Sequence, residues 1–510
     1  MTFSLRSILC FLLVVMLWGL PADAAPLYAT PDSSQVAAET ELAVGSKKFT
    51  ENVILGWMAT HLWTVHGYNA LHRAELGGSR FLWEALIRGD IDAYPEYTGT
   101  LIQEILAASD VTRATLRDTL AAYGVSMTEP LGFNNTYALG MRADHADSLG
   151  IETIGDLRAH PDLRLGFSNE FMDRGDGWPS LRTAYSLPQS ARGVDHDLAY
   201  RGLNAGQIDV IDLYSTDAEI DAYNLRVLED TRDHFPEYQA VFLYRTDLAR
   251  RAPTAVEQLR RLESKIPADT MQALNRRAKI DGQPEQTVAA QFINRTFDLN
   301  RQVTTTIASR SDRLRARTAE HLTLVGISLG LAILLGIPLG VLAANVRVLG
   351  PGVLLLVGVL YTIPSLALLA VMVPLVGLGQ TPAIIALLLY SLLPIVWNTY
   401  TGLNDIPRTL RESAEALGLP RTAQLLRVEI PMAARSILGG IKIAAVINVG
   451  TATLGALIGA GGYGQPILTG IRRADLTLIL EGTVPAAILT ILLLGLFEAA
   501  ERGLLPRGLQ

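Results

Sequence analysis

The rhythm of apolar and polar positions changes once along this chain. From residue 41 to about 300, short apolar runs such as ELAVGS, YALGMR and LRLGFS alternate with stretches of helical period such as NVILGWMATHLWTVHG. Strands of that length separated by helices predict a soluble α/β unit. The helix is expected to end at Gly67, a residue free to take the left-handed conformation that closes helices. Charge then thins out, and five apolar spans follow over 321–345, 353–378, 382–403, 437–459 and 476–499. Each is long enough to cross about 30 Å of hydrocarbon. Pro338, Pro364, Pro374, Pro394 and Pro485 interrupt them. Membrane helices tolerate proline because neighbouring helices re-satisfy the freed carbonyls. A polar, arginine-dotted linker over 301–319 joins the soluble region 41–300 to the membrane region 320–505.

Residues 1–24 read as a signal peptide, with Arg6 ahead of an apolar run and PADAA as a cleavage site. That predicts export of the soluble region. The single cysteine, Cys10, lies in this leader, which excludes a disulfide framework. A net charge of −7 leaves no basic footprint for nucleic acid. With the soluble region outside, five spans put the C-terminus in the cytoplasm. Arg347, Arg408, Arg411, Arg421, Arg427, Arg435, Arg502 and Arg507 then fall inside, as membrane insertion prefers. Arg313, Arg315, Arg317, Arg472 and Arg473 fall outside and weigh against it.

Two stretches of the soluble region echo each other, IRGDIDAYPEYT and NAGQIDVIDLYST. Each has a glycine, an apolar strand with Ile-Asp, and a tyrosine-bearing turn. One echo suits two similar lobes. Ligands of open α/β sheets bind beyond the carboxyl ends of strands. Tyr94 and Tyr97 sit there in one lobe and Tyr214 in the other. Tyr94, next to Pro95, is expected to be structural.

Some signals fail their context. GAGGYG at 459–464 fits a dinucleotide fingerprint but comes after a membrane span, not a strand. His61 and His66 are five apart, which does not align them on one helix face, so no metal site is expected. No phosphate-binding G-x-x-x-x-G-K-[ST] occurs, and no nucleophile–base set can be argued. The chain is expected to be no enzyme and to carry no cofactor.

Between the third and fourth spans lies RESAEALGLPRTAQLLRVEIPMAA, polar, basic and helical, with Gly418 and Pro420 in its middle. A helix, a glycine turn and a second helix would make a docking knob on the cytoplasmic face. An amphipathic helix lying in the interface is the alternative. Glu412, Ala414, Gly418, Val428, Ile430 and Pro431 are spaced as in the EAA loop of ABC importer permeases, here over 408–433. Ser413, Val428 and Ile430 are mild departures. YTIPSLALLAVMVPLVGLG, LLPIVWNTYTGL and IGAGGYG also resemble permeases of the glycine betaine/choline class. VGSKKFTENVILGWM, GDIDAYPEYTGT, NNTYALGMR, FMDRGDGWPSL, YSTDAEI and FPEYQAVFLYR resemble the binding proteins of such importers.

The resemblance implies a two-part chain. An α/β two-lobed type II periplasmic-binding-protein fold, with lobes over 41–128 plus 236–300 and 134–232, precedes an all-α five-span ABC importer permease. Hinges are expected near 127–134 and 232–238. It further implies a quaternary-ammonium ligand, two copies of the chain in the inner membrane, and a separate cytoplasmic ATPase that consumes the ATP. A quaternary ammonium donates no hydrogen bond, so shape and aromatic faces must recognise it, each ring contributing roughly 0.5–2 kcal/mol. By motif match the cage is Tyr97, Tyr137, Tyr214 and Tyr238. Lys47 and Arg174 would hold a carboxylate end, with Thr100 adding a hydroxyl bond. Arg174 could instead pair with Asp173 or Asp176. Asn135 stands where some relatives carry an acid, which leaves choline, carnitine, proline betaine and ergothioneine as alternative cargoes. A ligand-gated channel or sensor on the same receptor fold would need no EAA loop.

Overall fold

The computed structural model describes residues 41–109, 111–299, 301–304, 309–473 and 475–504. The expected leader with Cys10, and residues 305–308 of the linker, lie outside them. The chain divides into two units near residue 308.

The strands of the first unit are β1 (Glu41–Gly45), β2 (Asn69–Arg73), β3 (Ala93–Tyr97), β4 (Val125–Met127), β5 (Tyr137–Arg142), β6 (Leu165–Ser168), β7 (Ala191–Val194), β8 (Ile211–Tyr214), β9 (Leu225–Leu228) and β10 (Ala240–Arg245). β1 is buried from Leu42 onward, as an interior strand covered on both faces must be. It pairs parallel with β2 and β3, and β10 pairs antiparallel with β3 and β4, giving the order β2-β1-β3-β10-β4. The second half of the unit repeats this plan. β6 and β7 are parallel, a lone bridge from Leu165 to Val210 ties β6 to the entry of β8, and β5 pairs antiparallel with β8 and β9. β3 and β8 therefore hold equivalent places in their lobes, which explains the sequence echo. The chain crosses between lobes after β4 and after β9, and an Asn134–Gln239 bridge joins the crossings.

The helix Thr50–Val65 is buried on nearly every face because the first sheet and the helix Glu285–Thr296 cover it. It stops two residues before the expected Gly67, whose φ of 89° is the left-handed turn beyond the helix end.

The second unit is helical. Among the described residues, four helices are long and apolar enough to cross a membrane: Arg310–Asn345, Gln380–Asn404, Arg421–Ile458 and Leu476–Gly503. The pair Gly350–Thr362 and Ser365–Val376 makes a fifth span if counted as one. This pair covers the expected span 353–378 and bends by 96° between its halves. Pro364 supplies no N–H to continue the ladder, and Ile363 before it is extended with ψ of 125°. Pro338, Pro374, Pro394 and Pro485 stay inside their helices. The second half of the expected linker 301–319 is helical, since the first long helix starts at Arg310. The Ser309 hydroxyl caps that helix by accepting from the Asp312 N–H at 3.2 Å. A buried polar triad ties three helices together. Ser391 Oγ donates to Asn448 Oδ1 at 2.9 Å, and Asn448 Nδ2 donates to Ser328 Oγ at 3.0 Å.

Candidate functional site

Tyr97 ends β3, Tyr137 opens β5, Tyr214 ends β8, and Tyr238 lies two residues before β10. Strand ends and crossings thus deliver one ring each to a cluster where the lobes meet. Ring centroids of Tyr137 lie 5.0 Å from Tyr214 and 5.7 Å from Tyr238. Tyr97 reaches the group through Phe49, at 6.0 Å from Tyr97 and 5.4 Å from Tyr214. Phe171 and Phe235 close the far side, 5.1 and 6.3 Å from Tyr137. The hydroxyls of Tyr137 and Tyr214 meet at 3.4 Å. Gly99 makes room for Tyr238, because a Cβ there would sit 2.5 Å from the ring. The structure therefore brings together all four expected tyrosines. Tyr94 is fully buried within β3.

Two cations sit over these rings. The Arg174 guanidinium carbon is 5.1 Å from the Tyr137 centroid and 5.8 Å from that of Tyr238. The Lys47 ammonium is 5.3 Å from the Tyr97 centroid. Both are engaged by acids. Arg174 grips Asp176 with two bonds of 2.8 and 2.9 Å, and Tyr238 also donates to that carboxylate. Lys47 pairs with Glu96, which is wholly buried. The Asp176 alternative is thus what the structure shows for Arg174, because an arginine 3% exposed needs an opposite charge at hand. Thr100 is buried in the turn after β3.

Asn135 lies on the first crossing and donates from Nδ2 to Glu51 Oε1 at 2.8 Å. Sequence reasoning missed Glu51, at the start of the helix Thr50–Val65. It is 3% exposed and accepts from four groups. Tyr97 Oη and Asn135 bond one oxygen, the former at 2.6 Å; Thr216 Oγ1 at 2.6 Å and Asn275 Nδ2 at 3.1 Å bond the other. Phe49, Phe171 and Phe235 were missed as well, although they stand inside the motifs VGSKKFTENVILGWM, FMDRGDGWPSL and FPEYQAVFLYR. Burial pushes the Tyr97, Tyr137 and Tyr214 phenols well above their usual range, so the rings stay neutral.

Burial also pushes Glu51 up to about 7, against the lowering effect of Thr216, Tyr97 and Asn275 and with a further push from Asp217. The folded state then holds a proton that the unfolded chain releases above its ordinary carboxyl value of 4.5. Stability from this group is complete below that value and is lost as pH rises through about 7. Wild-type protein is expected to lose roughly 3 kcal/mol across this window relative to Glu51→Gln. Denaturant unfolding of both across pH 4.5–8 checks it; parallel curves would refute it.

The segment expected to couple to a partner is a helix, a turn and a second helix. Arg408–Ala416 ends ahead of Gly418, whose φ of 72° requires glycine, and a helical run from Arg421 continues into Ile430–Thr451. Arg411 Nε lies 3.3 Å from Glu429 and links the two helices. Glu412, Ser413, Leu417 and Gly418 are exposed, while Ala414 is buried against the second helix. Val428, Ile430 and Pro431 are half-buried.

Residues 40–295 match the substrate-binding domain of the ABC-type glycine betaine transport system. Residues 336–507 match the inner membrane component of binding-protein-dependent transport systems. The chain is 42% identical over 202 residues to the osmoprotectant import permease protein OsmW of Salmonella typhimurium, covering 39% of this chain and 94% of that one. It is 38% identical over 204 residues to the choline transport system permease protein OpuBB of Bacillus subtilis, covering 40% and 94%. The ergothioneine transport permease/ergothioneine binding protein EgtU of Helicobacter pylori is 31% identical over 300 residues, covering 57% of this chain and 52% of that protein. The chain therefore belongs to the family of ABC-type glycine betaine transport systems, and it joins the substrate-binding component and the membrane component in one polypeptide.

Proposed function

We propose that this chain captures a quaternary-ammonium osmoprotectant of the glycine betaine type outside the inner membrane and conducts it inward, powered by a separate cytoplasmic ATPase. The observation that carries this reading is the convergence of Tyr97, Tyr137, Tyr214 and Tyr238 from both lobes, with cations already standing over three of the rings. Ring faces that hold a guanidinium or an ammonium can hold a methylated nitrogen, which has no hydrogen bond to lose. The repeated strand order supports a type II binding protein with lobes 41–128 plus 236–300 and 134–232. The membrane part is read as five spans, with the bent pair counted as one. Two copies would form the pathway. A covalent link between receptor and permease raises their effective concentration to roughly millimolar.

Choline is the second reading, and one observation favours it. Asp176 and Glu96 already neutralise Arg174 and Lys47, so a ligand carboxylate would have to displace a buried partner. Calorimetric titration of the purified chain with glycine betaine, choline, carnitine, ergothioneine and a set of amino acids separates the readings. Methylated ammonium compounds are expected to bind; binding of amino acids alone would overturn the proposal.

The helix–turn–helix over 408–433 is proposed to dock on the ATPase through its exposed Glu412, Leu417 and Gly418. Glu412→Ala is expected to lower transport by roughly tenfold or more, the loss of one central interface contact. Ligand affinity should stay at the wild-type value. Uptake into vesicles beside equilibrium binding checks this, and a parallel fall in both would count against a coupling role.

A further inference from the structure

The helix Ala268–Lys279 packs on Thr50–Val65 and so belongs with the first sheet. It carries polar side chains at 272, 275 and 279, a spacing that aligns them on one face. That face meets the other lobe. Gln272 Nε2 donates to the Ser215 carbonyl at 3.0 Å, and Asn275 Nδ2 donates to the Thr216 carbonyl at 2.9 Å. Lys279 Nζ lies 2.7 Å from Asp197 and also pairs with Glu219. Ser215 and Thr216 come directly after Tyr214 on β8. The stripe is joined to the cage through Glu51. Asn275 donates to it from the first lobe and Thr216 from the second, while Tyr97 donates to its other oxygen.

We infer that Gln272, Asn275 and Lys279, together with Glu51, form a latch between the lobes that sets how long a captured quaternary ammonium is held. They are positioning residues: Gln272, Asn275 and Lys279 bond carbonyls and carboxylates, and Glu51 accepts from Asn275, Thr216, Asn135 and the Tyr97 hydroxyl. The inference rests on the proposed capture of a quaternary ammonium. When the lobes part, these groups return to water; when they meet, they find partners that only the closed receptor offers. The apparent affinity of a ligand that needs the closed form scales with the closed fraction. A latch therefore multiplies the affinity of every ligand by one factor, whereas the cage sets which ligand is preferred. Lys279 has the largest share, because its ammonium sits between two carboxylates with a side chain only 12% exposed.

The test uses the full chain in detergent, labelled glycine betaine as probe, and tert-butylacetate as competitor. The competitor has the shape of glycine betaine with carbon in place of the charged nitrogen. Lys279→Gln and Asn275→Leu are expected to weaken betaine binding roughly ten- to a hundredfold through faster dissociation. Gln272→Ala, at an exposed position where folding is not at stake, is expected to act in the same direction by about threefold. The betaine to tert-butylacetate ratio should not change in any of them. Spin labels at exposed Arg192 and Glu257, one on each lobe, should report longer distances in the ligand-free variants than in the wild type. Wild-type dissociation rates in Lys279→Gln and Gln272→Ala would overturn the latch. A changed ratio would overturn it too, by showing that these residues read the ligand. Failure of the capture reading looks different: the wild type itself would not discriminate between the two compounds.

Discussion

Lys47→Met is expected to destabilise the receptor unit by about 3–5 kcal/mol, the usual cost of leaving one member of a buried pair alone. Glu96 is wholly buried, and Lys47 is its one cationic partner among the described residues. Burial already raises the Glu96 carboxyl, and the lysine works against that rise. Without the ammonium, the carboxylate must take up a proton or draw in water, and the end of β3 shifts with it. The Tyr97 N–H donates to the same carboxylate at 2.9 Å, so cage geometry and stability should fall together. Lys47→Met/Glu96→Leu should recover much of the loss, since an apolar pair of similar volume replaces the ionic one. Denaturant unfolding of the three proteins measures it. If Lys47→Met kept full stability and lost affinity only for carboxylate-bearing ligands, Lys47 would be a ligand contact and not a buried counter-ion.

Tyr137→Ala is expected to weaken ligand binding by roughly a hundredfold or more. Its ring meets Tyr214, Tyr238, Phe171 and Phe235, and the Arg174 guanidinium stands over it. Removing it takes away one cation–π face, worth up to about 2 kcal/mol when desolvated, and leaves the neighbours free to collapse into the gap. A total near 3 kcal/mol corresponds to roughly a hundredfold in affinity. Tyr137→Phe keeps the face and loses only the long hydroxyl contact with Tyr214, so it should stay within about threefold. Direct titration of both variants distinguishes a ring requirement from a hydroxyl requirement. Equal losses in the two would place the phenol oxygen, not the π-face, in control.

The parts of this molecule that local pattern determines were readable from its sequence. Short apolar runs became β1, β5 and β6, and the echo between residues 87–98 and 204–216 became the equivalence of β3 and β8. Tyr97 and Tyr214 were legible because each stands at a strand end, where ligand chemistry collects, whereas Tyr137 and Tyr238 were named by motif match alone. Glu51 was not legible, because an acid in the first turn of a helix has an ordinary use there in balancing the helix dipole. Only the fold brings Thr216 and Asn275 to it from far along the chain. Phe49, Phe171 and Phe235 looked like core residues, and they are packed as core residues that also border the cage. Asp176 was visible two residues from Arg174, but the choice between ion pair and ligand contact depends on burial. The break at Pro364 was hidden among four other prolines in apolar spans. What sets it apart is the extended Ile363 before it, and composition does not encode that.

The central claim is that charge, delivered through π-faces, selects the ligand. The most direct measurement is the ratio of affinities for glycine betaine and tert-butylacetate on the wild-type chain, obtained by competition at one pH and salt concentration. Betaine is predicted to bind at least about tenfold more tightly, one or two desolvated cation–π contacts being enough for that. Equal affinity for the charged and neutral compounds would contradict the claim.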